Sequence, residues 1–417
     1  MTTTTGAEYD VLRTQVRSIV QKTPILDIHT HLYDPAFGPL LLWGIDDLLV
    51  YHYLVAEAFR YFPFPYETFW KLSKQQQAEL IWQELFVNHS PVSEACRGVV
   101  TTLNALGLDV NKRDLTLLRD YFSQIKPRDY VTRCMELSNV RKIWMTNSPF
   151  DDVERPFWEN GFERDSRFEA ALRIDPLLVN WQDTHDRLRE SGYEVTPDFS
   201  GRTIQEVRRF LREWSEALGA RYMMVSLPPS FTYPSNNPTS KLISEAVLPE
   251  CRELGLPFAV MMGVKRAVNP QLQMAGDGMG RSDLIALQNL CDAHPQNKFL
   301  ATVLSRENQH ELCVVARKFR NLHIFGCWWF TNIPSVIDDM TRMRLELIGL
   351  SCTPQHSDAR VLDQIIYKWR HSREIIAEVL SQKYVDLARS GWRATPAEIE
   401  RDVALLFGGS FEEFCRM

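Results

Sequence analysis

The sequence has no CxxC pair, no long apolar run and no segment of low complexity, although it contains eight cysteines in 417 residues. A chain of this length can bury a large core without disulfides, so we expect reduced and buried thiols. The longest apolar runs fall short of the roughly 20 residues that cross a bilayer, and the polar N-terminal stretch lacks the apolar segment of a signal peptide. These absences predict a cytoplasmic protein without a membrane span.

The sequence also lacks an excess of positive charge. Lysine and arginine number 47 against 53 aspartates and glutamates, giving a formal net charge of −6 and a pI near 6.0. This balance argues against a general nucleic-acid or membrane-surface binder. It leaves room for a small anionic substrate, because one pocket of an acidic protein can still be positive.

Eight short apolar runs of β-prone residues recur along the chain, separated by stretches with helical periodicity. The runs are Ile25–Ile28, Val140–Met145, Phe168–Leu172, Tyr222–Ser226, Phe258–Met262, Phe299–Leu304, Leu322–Cys327 and Leu347–Ser351. Such alternation predicts βαβ units with a parallel sheet, and eight units predict closure into an α/β (β/α)8 TIM-type barrel. An open doubly wound sheet is the alternative.

Two stretches depart from plain alternation. Residues 9–20 have the pattern of a helix outside the barrel, and residues 35–133 are too long for one βα unit. We therefore predict an N-terminal helix and first strand over 1–34, a helical insertion subdomain over 35–133, and the rest of the barrel with C-terminal helices over 134–417.

The segment Asp27-Ile-His29-Thr-His31 follows the first run. Histidines at i and i+2 of an extended segment point the same way, so both can bind one divalent ion. Asp358 follows the eighth run, which neighbours the first in a closed barrel, and is the natural third ligand. Two histidines and one carboxylate suit a single divalent metal ion, with zinc favoured. The alternative for Asp358 is the N-cap of a helix over Val361–Ala388.

Arginines follow three different runs, at Arg173, Arg306 and Arg360. The planar guanidinium suits carboxylates, so these residues predict a site for a small acid; salt bridges at the barrel rim are the alternative. Trp328 lies in an aromatic run that could stack on a sugar or pack in the core. His52 and Tyr53 can both move protons, unless they form only one face of an amphipathic helix.

These residues lie within motifs that resemble the uronate isomerase (glucuronate isomerase) family of the amidohydrolase superfamily, in its shorter, divergent bacterial branch. The motifs are DIHTHL at 27–32, WGIDDLLVYHYLVAEAFR at 43–60, ALRIDP at 171–176, LSRENQHE at 304–311, FGCWWF at 325–330 and QHSDARV at 355–361. Together they span nearly the whole chain.

The resemblance implies interconversion of D-glucuronate with D-fructuronate, and of D-galacturonate with D-tagaturonate. It places His29, His31 and Asp358 at the metal, and His52 and Tyr53 at the substrate. It places Arg173, Arg306, Trp328 and Arg360 around the sugar acid. It also suggests a homo-oligomer. One departure is the fifth run, which ends in Val260-Met-Met-Gly263 without the histidine of the better-known branch.

A proton transfer through a cis-enediol would need a base, and Asp358 or ionised Tyr53 is a candidate. His29 or His52 would move protons among the oxygens and Arg360 would bind near the reacting end, while Arg173 or Arg306 would hold the distal carboxylate. Two other functions stay open from the sequence: a metal-dependent amidohydrolase or lactonase, and a non-catalytic sugar-acid binding protein.

Overall fold

Eight parallel strands follow one another around one sheet in chain order in the computed structural model, which describes residues 6–416. They are β1 Ile25–Thr30, β2 Val140–Asn147, β3 Phe168–Arg173, β4 Ala220–Leu227, β5 Phe258–Met262, β6 Phe299–Val303, β7 Leu322–Phe325 and β8 Cys352–Thr353. The predicted α/β class and parallel sheet are confirmed.

The first strand and the chain leaving the last strand are joined by two backbone hydrogen bonds. The N–H of His31 donates to the carbonyl of Ala359 over 2.7 Å, and the N–H of Asp358 donates to the carbonyl of His29 over 3.1 Å. These bonds bring the two ends of the sheet together, as an α/β barrel requires.

Side chains from alternate strand positions fill the inside of the barrel. This inner cluster includes Leu26, Trp144, Ala171, Tyr222, Met224, Met261, Leu300 and Phe325. Phe411 of the last helix closes its lower end, with its ring 4.8 Å from that of Trp144. A larger apolar cluster lies between the strands and the helices, so the barrel is a packed core and its chemistry is confined to the upper edge.

Twenty α-helices are assigned among residues 6–416. They are α1 Gly6–Lys22, α2 Ile45–Leu49, α3 His52–Ala58, α4 Tyr66–Trp70, α5 Lys74–Trp82, α6 Glu94–Ala105, α7 Leu115–Ser123, α8 Pro127–Ser138, α9 Arg155–Asn160, α10 Asp175–Val179, α11 Trp181–Glu190, α12 Thr203–Leu218, α13 Pro238–Leu242, α14 Leu248–Leu254, α15 Ile285–Ala293, α16 Gln309–Ala316, α17 Pro334–Ile348, α18 Gln364–Arg389, α19 Pro396–Ala404 and α20 Ser410–Arg416. Short 3₁₀ or π segments join several of them.

Local sequence signals explain where several helices begin and end. Ser73 and Gln76 form a reciprocal capping box at the start of α5, as Thr395 and Glu398 do for α19. Helix α12 stops at Gly219, whose φ of +60° suits glycine.

The predicted eighth strand, Leu347–Ser351, is wrong. Leu347 and Ile348 form the last turn of α17, which ends at Gly349 with φ +61°, and β8 begins only at Cys352. An apolar run of this length has no periodicity that separates a strand from a helix end. The other seven strands agree with their predicted runs to within two residues at each end.

The chain between β1 and β2 is built from helices α2–α8, and its status as a separate subdomain stays a prediction. Among residues 6–416, no helix combines the length and apolar character that crossing a membrane requires.

Candidate active site

Three side chains meet at the upper edge of the barrel, where β1 ends and the chain leaves β8. The Nε2 atoms of His29 and His31 lie 3.6 and 3.4 Å from Oδ1 of Asp358. All three potential ligand atoms lie within 4.8 Å of one another. Nε2 of His29 and Oδ1 of Asp358 are buried and have no hydrogen-bond partner within residues 6–416, a costly arrangement that a bound cation would relieve.

A β-bulge in β1 turns the two histidines toward the inside of the barrel. Asp27 pairs with Ile143 and Thr30 with Met145, so three steps along β1 match two along β2. Leu26 faces the interior at an even position, and the extra residue lets the odd positions 29 and 31 line the cavity above it. Bulges commonly redirect side chains beside functional sites.

Two buried hydroxyls fix the ring orientation of both histidines. The Tyr222 hydroxyl donates to the carbonyl of Ile28 over 2.9 Å, so its oxygen accepts from Nδ1 of His29 at 3.2 Å. The Thr146 hydroxyl donates to the carbonyl of Thr30 over 3.0 Å and accepts from Nδ1 of His31 at 2.9 Å. Both rings therefore carry their proton on Nδ1 and present the Nε2 lone pair toward Asp358.

Asp358 adopts a left-handed backbone conformation, with φ +50°, that is uncommon for a non-glycine residue. Its Oδ2 accepts from the N–H of Trp329 at 3.2 Å, and the buried Lys368 ammonium donates to the carbonyl of Ser357 over 2.7 Å. Asp27 accepts from the Ser357 N–H at 2.9 Å. These contacts hold a strained segment in place, a feature that often accompanies function. Helix α18 begins at Gln364, so the N-cap alternative for Asp358 is wrong.

Burial keeps the candidate ligands in the protonation states that metal binding needs. It lowers the pKa of His29 to about 3 and that of His31 well below its ordinary value. The two imidazoles are therefore neutral at pH 7. Two neutral imidazoles and one carboxylate, with orphaned lone pairs converging on one point, fit a single divalent cation.

Three arginines line the cavity around this cluster, and they differ in their partners. Nε and Nη2 of Arg173 each donate to Asp175 over 3.0 Å. Arg266 contacts Asp277 through Nη1 over 2.5 Å. Among residues 6–416, no carboxylate lies within 4.0 Å of the Arg360 guanidinium, so its charge is available to a ligand.

The start of α3 brings proton-bearing side chains to the other side of the cavity. Tyr51 and His52 line it, and the Tyr53 hydroxyl is buried beside them. Burial lowers the pKa of His52 to about 3 and raises that of Tyr53 well above 10. At neutral pH, His52 is therefore a neutral imidazole and Tyr53 a neutral phenol that keeps its proton.

The chain was compared with protein families, curated proteins and solved structures. Neither the family models nor the curated proteins match it. Among solved structures, a uronate isomerase from Bacillus halodurans C-125 is 52% identical, with a TM-score of 0.96 over 98% of this chain and 97% of that one. The chain belongs to the uronate isomerase family.

More distant members support the fold of this uronate isomerase chain. A uronate isomerase from Thermotoga maritima is 14% identical with a TM-score of 0.75, covering 97% of each chain. A glucuronate isomerase from Caulobacter crescentus is 16% identical with a TM-score of 0.72, covering 99% of this chain and 95% of that one. The family resemblance read from the sequence motifs is confirmed.

Most residues singled out by the family motifs meet in one cavity. His29, His31, His52, Arg173, Trp328, Asp358 and Arg360 line it. Tyr53 lies directly behind, with its ring 4.5 Å from that of His52. Trp329, next to Trp328, also lines the cavity and stacks on Phe330 at 4.8 Å, so one face of this aromatic run packs against protein.

Arg306 is the exception among the predicted site residues. Its side chain is 65% exposed, pairs with Asp339 on α17 at 3.1 Å, and is not part of the cavity wall. The chain turns into a short 3₁₀ helix at Arg306 directly after β6, which directs the side chain outward. This placement matches the rim salt bridge that was its alternative, and Arg266 is the third cavity arginine instead.

Sequence reasoning missed Arg266 and Asp277, which lie on a hairpin after β5. The glycine-rich stretch at 276–280 was the available signal, since Asp-Gly pairs and clustered glycines indicate a tight hairpin that returns its residues to the strand end.

Proposed function

We propose that this uronate isomerase interconverts the aldose and ketose forms of uronic acids, D-glucuronate with D-fructuronate and D-galacturonate with D-tagaturonate. The observation that carries the proposal is one cavity, in a chain 52% identical to a uronate isomerase, that combines the Arg360 guanidinium with the buried Asp358 carboxylate and has the protonated phenol of Tyr53 directly behind its wall. An anionic sugar that must lose and regain one proton requires these groups.

Asp358 is proposed as the base that removes the C2 proton. Its Oδ2 accepts the Trp329 N–H, and its backbone is fixed by a hydrogen bond to β1. Tyr53 is the weaker candidate for this role, because burial keeps its hydroxyl protonated. The phenol is better suited to donate to the developing oxyanion of the cis-enediol.

His52 is proposed to assist proton movement among the sugar oxygens, because the Nδ1 proton of His29 is held by Tyr222 and its Nε2 points at the candidate metal position. Arg360 is proposed to bind near the reacting end. The free N–H groups of Arg360 can stabilise negative charge on the C1 and C2 oxygens as it develops. Arg173, held by two bonds to Asp175, has its direction fixed and can orient the distal carboxylate. Trp328 would pack against the sugar chain.

We propose zinc as the divalent ion that His29, His31 and Asp358 would hold. Two histidines and one carboxylate are a frequent zinc set that leaves coordination positions open for substrate oxygens. When bound, the ion supplies a Lewis acid that holds and polarises those oxygens.

Proton NMR in heavy water tests the proposed activity directly. The protein is incubated with D-glucuronate and, separately, with D-galacturonate. We expect ketose signals to appear and deuterium to enter at the carbon that gains a proton. If protein that is folded and loaded with zinc leaves both sugars unchanged, the proposal is refuted.

Three further expectations remain predictions. They are the separate status of residues 35–133 as a helical subdomain, the assembly into a homo-oligomer, and the cytoplasmic location.

A further inference from the structure

The hairpin that follows β5 forms one wall of the cavity. Two short antiparallel strands, Val264–Lys265 and Gly278–Met279, pair at its base, and a 3₁₀ segment over Pro270–Gly276 forms its tip. Arg266, Met274 and Asp277 of this hairpin line the cavity together with the candidate metal ligands. No role proposed above uses these residues.

The backbone of the hairpin is tightly shaped. Ala267 and Gln273 adopt positive φ angles of 50° and 51°. A Cβ placed on Gly276 would lie 1.8 Å from the carbonyl oxygen of Asn269, and one on Gly280 would lie 2.6 Å from Cγ of Pro229. A loop that holds unfavourable dihedrals and excludes side chains at its close approaches has one well-defined conformation.

The tip of the hairpin is also fastened to α4. The indole Nε1 of Trp70 donates to the carbonyl of Gln271 over 2.8 Å, and the Asn269 amide donates to the Tyr66 hydroxyl over 3.3 Å. The hairpin and α4 therefore support each other, and Arg266 lies on a hairpin whose position is fixed by these contacts.

Asp277 anchors Arg266 but leaves most of its donors unused. The carboxylate of Asp277 accepts from Nη1 of Arg266 at 2.5 Å and from the N–H of Ala267 at 2.8 Å. The guanidinium has no other hydrogen-bond partner among the described residues, whereas Arg173 uses both Nε and Nη2 on Asp175. Arg266 thus keeps free N–H groups at the cavity wall, beside a carboxylate that can still accept.

Arg266 presents free donors beside the Asp277 carboxylate, an acceptor, at the cavity wall. A donor next to an acceptor matches a hydroxyl group, which both donates and accepts. The substrate carries one carboxylate and several hydroxyls. We infer that Arg266, held by Asp277, is a further substrate-contacting residue that binds hydroxyl oxygens of the sugar chain at the cavity mouth; this rests on the proposed isomerase function.

The test compares Arg266→Met with Arg306→Met, two variants that each replace an arginine by methionine. Both arginines are mostly exposed, at 57% and 65%, and each has one carboxylate partner, but only Arg266 lies at the cavity. With both uronates, we expect Arg266→Met to raise KM by about tenfold while kcat changes less than about threefold. Arg306→Met should keep both constants within about twofold of the wild type.

Two further variants distinguish the loss of a substrate contact from a loss of the hairpin's structure. Arg266→Lys keeps the charge but loses the planar set of donors, so we expect a KM between those of the wild type and Arg266→Met. Asp277→Asn should also raise KM, since it removes the anchor. Thermal unfolding of all variants should occur within a few degrees of the wild type.

A wild-type KM in folded Arg266→Met would overturn the inference while leaving the isomerase function intact. A KM equally raised in Arg306→Met would also overturn it, because the effect would then follow from lost surface charge. If the wild type converts neither sugar, the proposed function fails and the inference fails with it.

Discussion

The floor of the cavity, formed by His29, His31 and Asp358, is mostly closed to water, whereas the Arg266 side chain at its rim is exposed. The side chains of His29, His31 and Asp358 are 1%, 19% and 7% exposed, against 57% for Arg266. On the floor, buried hydroxyls determine which lone pairs are free. At the rim, the backbone of the hairpin determines where a solvated guanidinium points. Since electrostatic interactions are stronger when buried, we expect floor residues to control chemistry and rim residues to control substrate binding.

The largest effect is expected for Asp358→Asn, which keeps the shape of the floor but removes the proposed base and one metal-binding oxygen. We expect kcat/KM to fall by about 10³-fold or more. The measurement is the NMR assay in heavy water, with Asp339→Asn on the surface as the matched control. Unchanged deuterium exchange at C2 in Asp358→Asn would rule out Asp358 as the base and return attention to Tyr53.

A smaller effect is expected for Tyr222→Phe, because it changes the floor only through His29. Without the hydroxyl, the Nδ1 proton of His29 loses its acceptor and the ring is less firmly oriented, so affinity for zinc should fall by about 10- to 100-fold. Competition with a chromophoric chelator measures this. Tyr384→Phe, which removes a hydrogen bond to Asp402 far from the cavity, is the control. Equal zinc affinity in wild type and Tyr222→Phe would mean that the hydroxyl does not orient the ligand.

The pH dependence of the free energy of unfolding tests whether the floor of the cavity excludes water. In the folded, metal-free protein burial lowers the pKa of His29 and His52 to about 3, whereas the unfolded histidines titrate near 6.5. The unfolded state therefore binds more protons below pH 6.5, and stability is lost as the pH falls from that value toward 3. Each such proton contributes about 1.4 kcal/mol per pH unit.

Four buried carboxyls oppose this trend. Burial raises the pKa of Asp27 and Asp363 to about 6 and also raises those of Asp34 and Glu154, so the folded state binds their protons first and gains stability as the pH falls below about 6. The lowered histidines, which also include His31, His323 and His356, outnumber them. Urea unfolding of metal-free protein should show stability falling between pH 6.5 and 4.5. A flat profile would indicate that water reaches the floor.

The smallest effects concern the rim, where Arg266→Met should alter KM and Arg306→Met should alter neither constant. Together, the two variants show whether the loss of an arginine affects KM only when that arginine lies on the cavity wall. If Arg266→Met lowered kcat as strongly as Asp358→Asn, the division between floor and rim would be wrong.

Residues within one segment were the most predictable. The HxH pair and seven of the eight strands follow from periodicities of a few residues, and the capping boxes from side chains three positions apart. Asp358 could be predicted as the third metal ligand because a closed barrel makes its first and last strands neighbours. The eighth strand was misplaced because Leu347 and Ile348 carry the same apolar signal in a helix end as in a strand. Arg306 and Arg266 each follow a strand, and the local hint that separates them is the glycine-rich stretch at 276–280, which indicates a hairpin after Arg266.

The sequence by itself determined the alternation of strands and helices, the family motifs and the kinds of side chain available to the site. Only the tertiary structure decided the bulge that redirects His29 and His31, the hydroxyls that fix their rings, and the arginine that enters the cavity. The reason is distance along the chain: Tyr222 lies 193 residues from His29, and Thr146 lies 115 residues from His31. Contacts of that separation arise from the packing of the whole barrel, which no local pattern encodes.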